Sequence, residues 1–523
     1  MKSFTSLWSK KPLRVILLIA LLFRLLAVIF SQGYAVHDDH FMVIETAQAW
    51  VDGTTYQNWL PSGDNEFNKG PIGNSFAYVG LHYLLIQGME AIGIMNATSK
   101  MLVIRLLHAL FSLLVVNYAY RITHLVSNKD MARYVGLLIA TFWILPFVSV
   151  HNLAEFFAVP FLMLAIWFML RPQYRDKPFK WAFFSGLVLG LSFSVWFFLF
   201  IFIVGFFIVL AIRKRWRVMG FVVLGLVVSV GLLQGFVDYY IWQEPFAELT
   251  TFFGNLEIPF TKPNRTIFSM YVIMLLLIMI PPISIFWLLG WFKSARINLL
   301  LFFPAFLMFL YFSFSIQQHE RNIMAVFPFI VIAGVIGWNQ ILQKSVFWNN
   351  HPGLYRSMVM FFWVINFIVI IPVSTTYSKR SPVESMLFLQ KHKNEISDIL
   401  IEDSNRESVK SMPLFYMEKW VNMYKLPDYK EYGAKNELVK RSNYEYILTT
   451  PRYFVSDSAN IPDYVLFVGQ KRLDERIQRL KPYIPDLIYQ KTIKPGIIDR
   501  LLYKLNPKHN VNQSIYIYRV QQG

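Results

Sequence analysis

Apolar runs of about twenty residues, separated by short polar stretches, dominate the first 375 positions of the chain. Crossing ~30 Å of hydrocarbon takes roughly 20 residues of helix. Runs of that length lie near 13 to 31, 101 to 121, 131 to 150, 153 to 170, 217 to 236, 267 to 291, 297 to 315, 322 to 342 and 357 to 374. Residues 180 to 212 are too long for one helix and read as a pair turning near Ser192 to Trp196, which brings the expectation to about 11 transmembrane helices. The stretch 74 to 94 is broken by Gly80, His82, Gln87, Gly88 and Glu90, so it reads as a helix lying at the interface. The first run lacks a small-residue cleavage site after it and reads as a retained anchor. From about residue 376 the pattern turns polar. Short β-type runs at 399 to 403, 444 to 450, 464 to 469 and 514 to 520 alternate with helix-like stretches at 382 to 395 and 472 to 480, the pattern of a small α/β domain.

The fold expected is therefore a polytopic α-helical membrane protein, with a membrane module over 1 to 375 and a separate domain over 376 to 523. Composition agrees: 55% of the residues are hydrophobic, more than a soluble core can hide, and only 16% are charged. The net charge of +18 raises the question of nucleic acid, but its distribution answers it otherwise. With Lys2, Lys10, Lys11 and Arg14 inside, the alternate loops carry Arg121, Lys129 and Arg133, then Arg171 to Lys180, Arg213 to Arg217, Lys293 and Arg296, and Lys344 and Arg356. Of the 15 acidic residues before position 376, only Asp130 and Asp176 fall on that side. The positive-inside rule then puts the first loop, 32 to 73, and the C-terminal domain on the outer face. No cysteine is present, which excludes disulfides and thiol chemistry.

Four outer loops bring candidate chemistry. The first supplies His37, Asp38, Asp39, His40 and Glu45; the second His151, Asn152 and Glu155; the third Asp238, Tyr239, Glu244, Asn255, Lys262 and Arg265; the fourth Gln317, Gln318, His319, Glu320 and Arg321. A carboxylate at the membrane edge can take a proton from an attacking hydroxyl, and a cation can hold a lipid phosphate as it leaves. Plainer readings compete. Adjacent acids commonly start a solvated loop, Glu155 and Asp238 can cap helices, and His151 and His319 read first as structural. Arg321 is harder to dismiss, because a cation at a helix N-terminus opposes the macrodipole and needs another reason. Four consecutive residues rarely converge on one ion, so a metal at HDDH would need remote ligands.

The segment HDDHFMVIETAQAW resembles the first-loop motif of glycosyltransferase family 22 in the GT-C superfamily, roughly HPDEhFQxxE. Matched without gaps, His37 stands at the proline, Asp38 at the catalytic Asp, Asp39 at the Glu and Glu45 at the later Glu. KGPIGNSF at 69 to 76 is similar to the family's GxRS segment, and VIRLLHALFSLL at 103 to 114 to the Arg-led span after it. HNLAEFFAVPFLMLAIW at 151 to 167 is similar to its N-x-x-E start. VDYYIWQEPFAELTTFFGNLEI at 237 to 258 places Asp238 and Asn255, and QQHERNIMAVFPFI at 317 to 330 places Arg321 and Pro328. Two departures stand out: the Arg of GxRS is Gly73 here, and HKE has become QQH.

The resemblance implies an inverting transferase that moves a hexose, mannose first among them, from a polyprenyl-phosphate donor to a hydroxyl of a glycan or glycolipid acceptor on the outer face. Asp38 and Asp39 are then the catalytic pair. His37, His40, Glu45, Asn152, Glu155, Asp238, Asn255, Arg265, His319 and Arg321 form the substrate-binding set, with no metal or other cofactor expected. The location expected is a bacterial inner membrane, with an endoplasmic-reticulum membrane as the alternative. A lipid-linked oligosaccharide flippase is the competing function, but its polar residues belong near the bilayer midplane, whereas nearly all the acids here sit at one edge.

Overall fold

The computed structural model describes residues 7–54, 70–256, 268–315, 319–405, 409–426, 461–481, 484, 486–505 and 513–521. The expected run at 444 to 450, and Lys262, Arg265, Gln317 and Gln318, lie outside the described residues, as does the side chain of Asp38. The chain divides into two compact units. One comprises Met1–Ser31, Pro71–Gly80 and Ile104–Thr375, the other Gln32–Gly70, Leu81–Val103 and Thr376–Gly523.

The first unit is helical. Among the described residues, five helices are long and apolar enough to cross a membrane by length and composition, Pro12–Phe30, Ala97–Val126, Pro178–Val195, Trp216–Trp242 and Pro352–Ser374, and a bent pair makes a sixth if taken as one span. Starts follow local chemistry. Pro12, Pro178 and Pro352 open helices where a missing N–H costs nothing. Asn128 and Asn298 cap the helices Lys129–Thr141 and Leu299–Phe314, accepting from Met131 N at 2.9 Å and from Leu300 and Leu301 N at 3.1 and 3.2 Å. The run 180 to 212 breaks at Trp196, within the expected turn.

The run 267 to 291 departs from the single span expected. It folds as two helices bent by 117°, Met270–Ile278 and Ile283–Ser294. Pro281 and Pro282 stand at the break, where neither can donate the next helical hydrogen bond.

Close helix packing rests on small residues. Extra methyls at Gly186 and Gly225 would strike the carbonyls of Val222 and Phe183, where Pro178–Val195 meets Trp216–Val230. Gly290, Gly334 and Gly337 do the same between Ile283–Ser294 and Phe327–Lys344. A cation sits deep within the first apolar run: Arg24 is fully buried and donates to Ser112 Oγ at 2.8 Å and to the Ala20 and Ala140 carbonyls at 3.3 Å.

The second unit carries a five-stranded mixed sheet, β1 Asp398–Glu402, β2 Asn422–Leu426, β3 Tyr464–Val468, β4 Leu487–Ile493 and β5 Ile515–Val520, in the order β2-β1-β3-β5-β4. β2, β1 and β3 are parallel, while β5 runs antiparallel to both β3 and β4. Leu400, Tyr424, Val465 and Phe467 form a core closed by Leu480 and Ile484. A buried ion pair pins the sheet's end: Arg476 Nε donates to Glu402 Oε2 at 2.6 Å, and its remaining N–H groups reach the carbonyls of Glu402, Val468 and Gly469.

Candidate functional site

The first-loop motif belongs to the second unit. It begins where Gln32 accepts a hydrogen bond from Ser378 N at 3.0 Å. Gly33, at φ +77°, lets the backbone pass against the Ser378 carbonyl where any side chain would collide. After extended Val36, residues His37–Asp39 form one helical turn, and His40–Glu45 continue it as a wider π-type turn. Such widened turns recur at functional sites.

Helical spacing then sends His40, Phe41, Ile44 and Glu45 into the interior. The His40 ring is stacked between Tyr34, with centroids 4.6 Å apart, and Tyr416, at 5.5 Å. Neither ring nitrogen has a hydrogen-bond partner among the described residues. Glu45 Oε1 lies 3.9 Å from Nε2, near enough to attract an imidazolium but too long to hydrogen-bond. Burial wins over that attraction: it depresses the imidazole to about 3, aided by the neighbouring His37, so His40 is neutral at ordinary pH. The Glu45 carboxylate accepts from Phe415 N at 3.1 Å and ties the loop to the segment 414–417. His37 packs on Phe41 at 4.2 Å between centroids, and Asp39 is half-buried.

Two other loops meet in the first unit. Asn152 and Glu155 are buried at the start of the Ala154–Leu170 segment, and Arg321 lies in the 3-10 turn Glu320–Ala325 that leads into Phe327–Lys344. Arg321 Nε stands 3.3 Å from Glu155 Oε1. That pairing is the reason for a cation where the helix dipole disfavours one. Glu155 Oε2 has no hydrogen-bond partner among the described residues. His319 is exposed and its carbonyl accepts from Tyr271 Oη at 2.9 Å. His151 is buried against Ser31 Oγ at 3.2 Å, and burial, then the charge of Arg105, push its imidazole far down.

The third loop is organised around a carboxylate that sequence reading passed over. Glu248 Oε2 accepts the backbone N–H groups of Ile72, Gly73 and Asn74 at 3.0, 2.6 and 3.0 Å. The three donors converge because Gly73 adopts φ +82°. At Gly73 the peptide backbone itself meets the charge, with no side chain. Burial lifts the Glu248 carboxyl to about 7 against the pull of the Asn74, Gly73 and Ile72 amides, with Asp238 adding to the lift. Asp238 is itself buried: Oδ1 accepts from Gln234 Nε2 at 2.7 Å and Oδ2 from Glu248 N at 3.2 Å. It thus caps the helix Ala247–Gly254, while Asn255 ends that helix, exposed. The available signal was Glu248 itself, the one charge in the otherwise neutral stretch PFAELTTFFG.

Within the units, the structure thus joins His40 with Glu45, Glu155 with Arg321, and Asp238 with Glu248. Asp238 and Asn255 share a loop without direct contact between them being part of the network. Among the described residues, no three His, Asp or Glu side chains gather where one metal ion could bind.

The structure of ArnT from Cupriavidus metallidurans in the apo state aligns with a TM-score of 0.60 at 12% identity, over 96% of this chain and 97% of that one. The same protein bound to undecaprenyl phosphate aligns at 0.59 and 10% identity over the same shares. The apo oligosaccharyltransferase of Archaeoglobus fulgidus aligns at 0.53 and 13% identity, over 91% of this chain and 72% of that one. These likenesses show a shared fold. No curated protein sequence is a significant match. The sequence profile of the Alg9-like mannosyltransferase family matches residues 15–407, well over half of the chain. The helical unit, the sheet-bearing unit and that match together place the chain in the Alg9-like mannosyltransferase family, as a membrane glycosyltransferase of the GT-C fold.

Proposed function

We propose that the chain is an inverting transferase that takes a hexose, mannose first, from a polyprenyl-phosphate donor and passes it to a hydroxyl of a glycan or glycolipid. The family match over residues 15–407 carries this reading, since it takes in the first-loop acids, the Glu155 turn and Arg321. The undecaprenyl phosphate bound by the structurally similar ArnT supports a polyprenyl-phosphate donor. The reaction faces outward across a bacterial inner membrane, in a module of about eleven spans, as the basic loops on the other side imply.

In this mechanism Asp38 is the general base that takes the acceptor hydroxyl's proton as its oxygen attacks the anomeric carbon, and Asp39 orients it. Arg321, with Lys262 or Arg265, stabilises the phosphate that departs on the lipid. Glu155 holds the Arg321 guanidinium at one edge. No metal enters these steps.

The deciding experiment is transfer of labelled mannose in membranes bearing wild type or Asp38→Asn. The sugar is supplied as polyprenyl-phosphate-mannose or as GDP-mannose with lipid-carrier synthesis blocked. Incorporation from the lipid donor alone, falling about 100-fold or more in the variant, is expected. Equal transfer by Asp38→Asn would remove the proposed base, and no transfer from any polyprenyl-phosphate hexose would move the reading to transport.

A further inference from the structure

At the end of helix Val159–Leu170 opposite Glu155, the first unit opens a cleft of about 1090 Å³ between the turns after that helix and after Phe200–Ile212. Six cations line it: Arg171, Arg175, Arg213, Lys214, Arg215 and Arg217. Among the described residues, no carboxylate lines it. Basic loops on one side of a membrane protein are expected for orientation alone, but a loop charge needs no cavity.

Here the cations are built into one. The Arg171 guanidinium is held between two indoles, 4.5 Å from the Trp167 ring centre and 3.9 Å from that of Trp181. Arg215 lies over Tyr174 at 6.0 Å. Arg213 is pulled below its ordinary basicity by burial and then by the charge of Arg215. The remaining wall is apolar: Leu125, Met169, Leu170, Phe179 and Val218.

We infer that this cleft binds the phosphate headgroup of an anionic membrane lipid, its guanidinium groups on the phosphate and its apolar wall against the start of the acyl chains. Arginine forks suit phosphate oxygens, and six cations lining one cleft favour an anion over a neutral or cationic ligand. The mixed wall favours an amphiphile over free phosphate, and basic pockets between helices at this depth are the usual place for such headgroups. The site stands apart from the transfer chemistry and does not depend on it.

The test is native mass spectrometry of the purified full chain in mild detergent. It is supplied with dioleoyl-phosphatidylglycerol or with dioleoyl-phosphatidylethanolamine, which carries the same chains on a zwitterionic head. Wild type should retain the anionic lipid preferentially, and Arg175→Gln/Arg213→Gln/Arg217→Gln should lose that preference about tenfold. Lys129→Gln/Arg133→Gln/Lys344→Gln, which removes three basic residues outside the cleft, should keep it. Equal loss in both triple variants, or no loss in the first, would overturn the site. Displacement of the lipid by inorganic phosphate at equal concentration would overturn the lipid assignment. Thermal unfolding of each variant separates loss of binding from loss of fold.

Discussion

Two buried side chains give opposite responses to pH. The His40 imidazole is depressed in the folded chain from 6.5 to about 3, so the unfolded chain binds the extra proton first. The stability it supports is present above pH 6.5 and is lost as pH falls toward 3. Replacing it as His40→Phe keeps an aromatic ring between Tyr34 and Tyr416 and removes the titration. The variant should gain on the order of 2 kcal/mol relative to wild type near pH 4, read by urea unfolding across pH. Glu248 behaves in the reverse sense: its carboxyl rises from 4.5 to about 7, so its contribution is full below 4.5 and is lost by 7. Glu248→Gln keeps an acceptor for the Ile72, Gly73 and Asn74 amides and should flatten that slope. Glu248→Ala strands those donors and should cost roughly 3 kcal/mol below pH 4.5, where the wild-type contribution is full. A shared slope in wild type and Glu248→Gln would show that another group titrates there.

At the scale of elements, the helix pair Ile283–Ser294 and Phe327–Lys344 meets backbone to backbone through Gly290, Gly334 and Gly337. Gly290→Leu should push the helices apart and lower the thermal midpoint by several degrees or abolish folding, whereas Gly353→Leu, with open space at its Cβ, should be near neutral. What could be read from the chain in advance follows from what buries on both sides. β1 and β3 are buried along their whole length and show as continuous apolar runs. β2 and β4 are the two edges of the sheet and escaped notice. β2 includes Lys425, whose Nζ turns to Ser411 Oγ at 2.6 Å, and β4 is mostly exposed. The break at Pro281 and Pro282 was visible as letters but lost in a hydropathy average. The site divides the same way. The first-loop acids announce themselves by being adjacent and charged at a membrane edge. The Glu248 network does not, because its partners are amide groups that every residue possesses.

For the molecule as a whole, the helical unit contains several helices that are short for their surroundings. Ala154–Leu170, Phe197–Ile212 and Leu299–Phe314 have 17, 16 and 16 residues. At 1.5 Å per residue each rises ~24–26 Å, against a hydrocarbon layer of ~30 Å. Lipid beside such helices must compress, at fractions of a kcal/mol per Å of mismatch. The protein should therefore respond to bilayer thickness. Reconstituted in phosphatidylcholines of rising chain length, from 14 to about 22 carbons, its transfer rate should fall several-fold as the membrane thickens. A flat profile would show that neighbouring segments shield the short helices from the lipid. A locally thinned annulus would also shorten the distance that a long-chain carrier's phosphate travels between bulk lipid and protein, so the membrane itself would take part in delivering the donor.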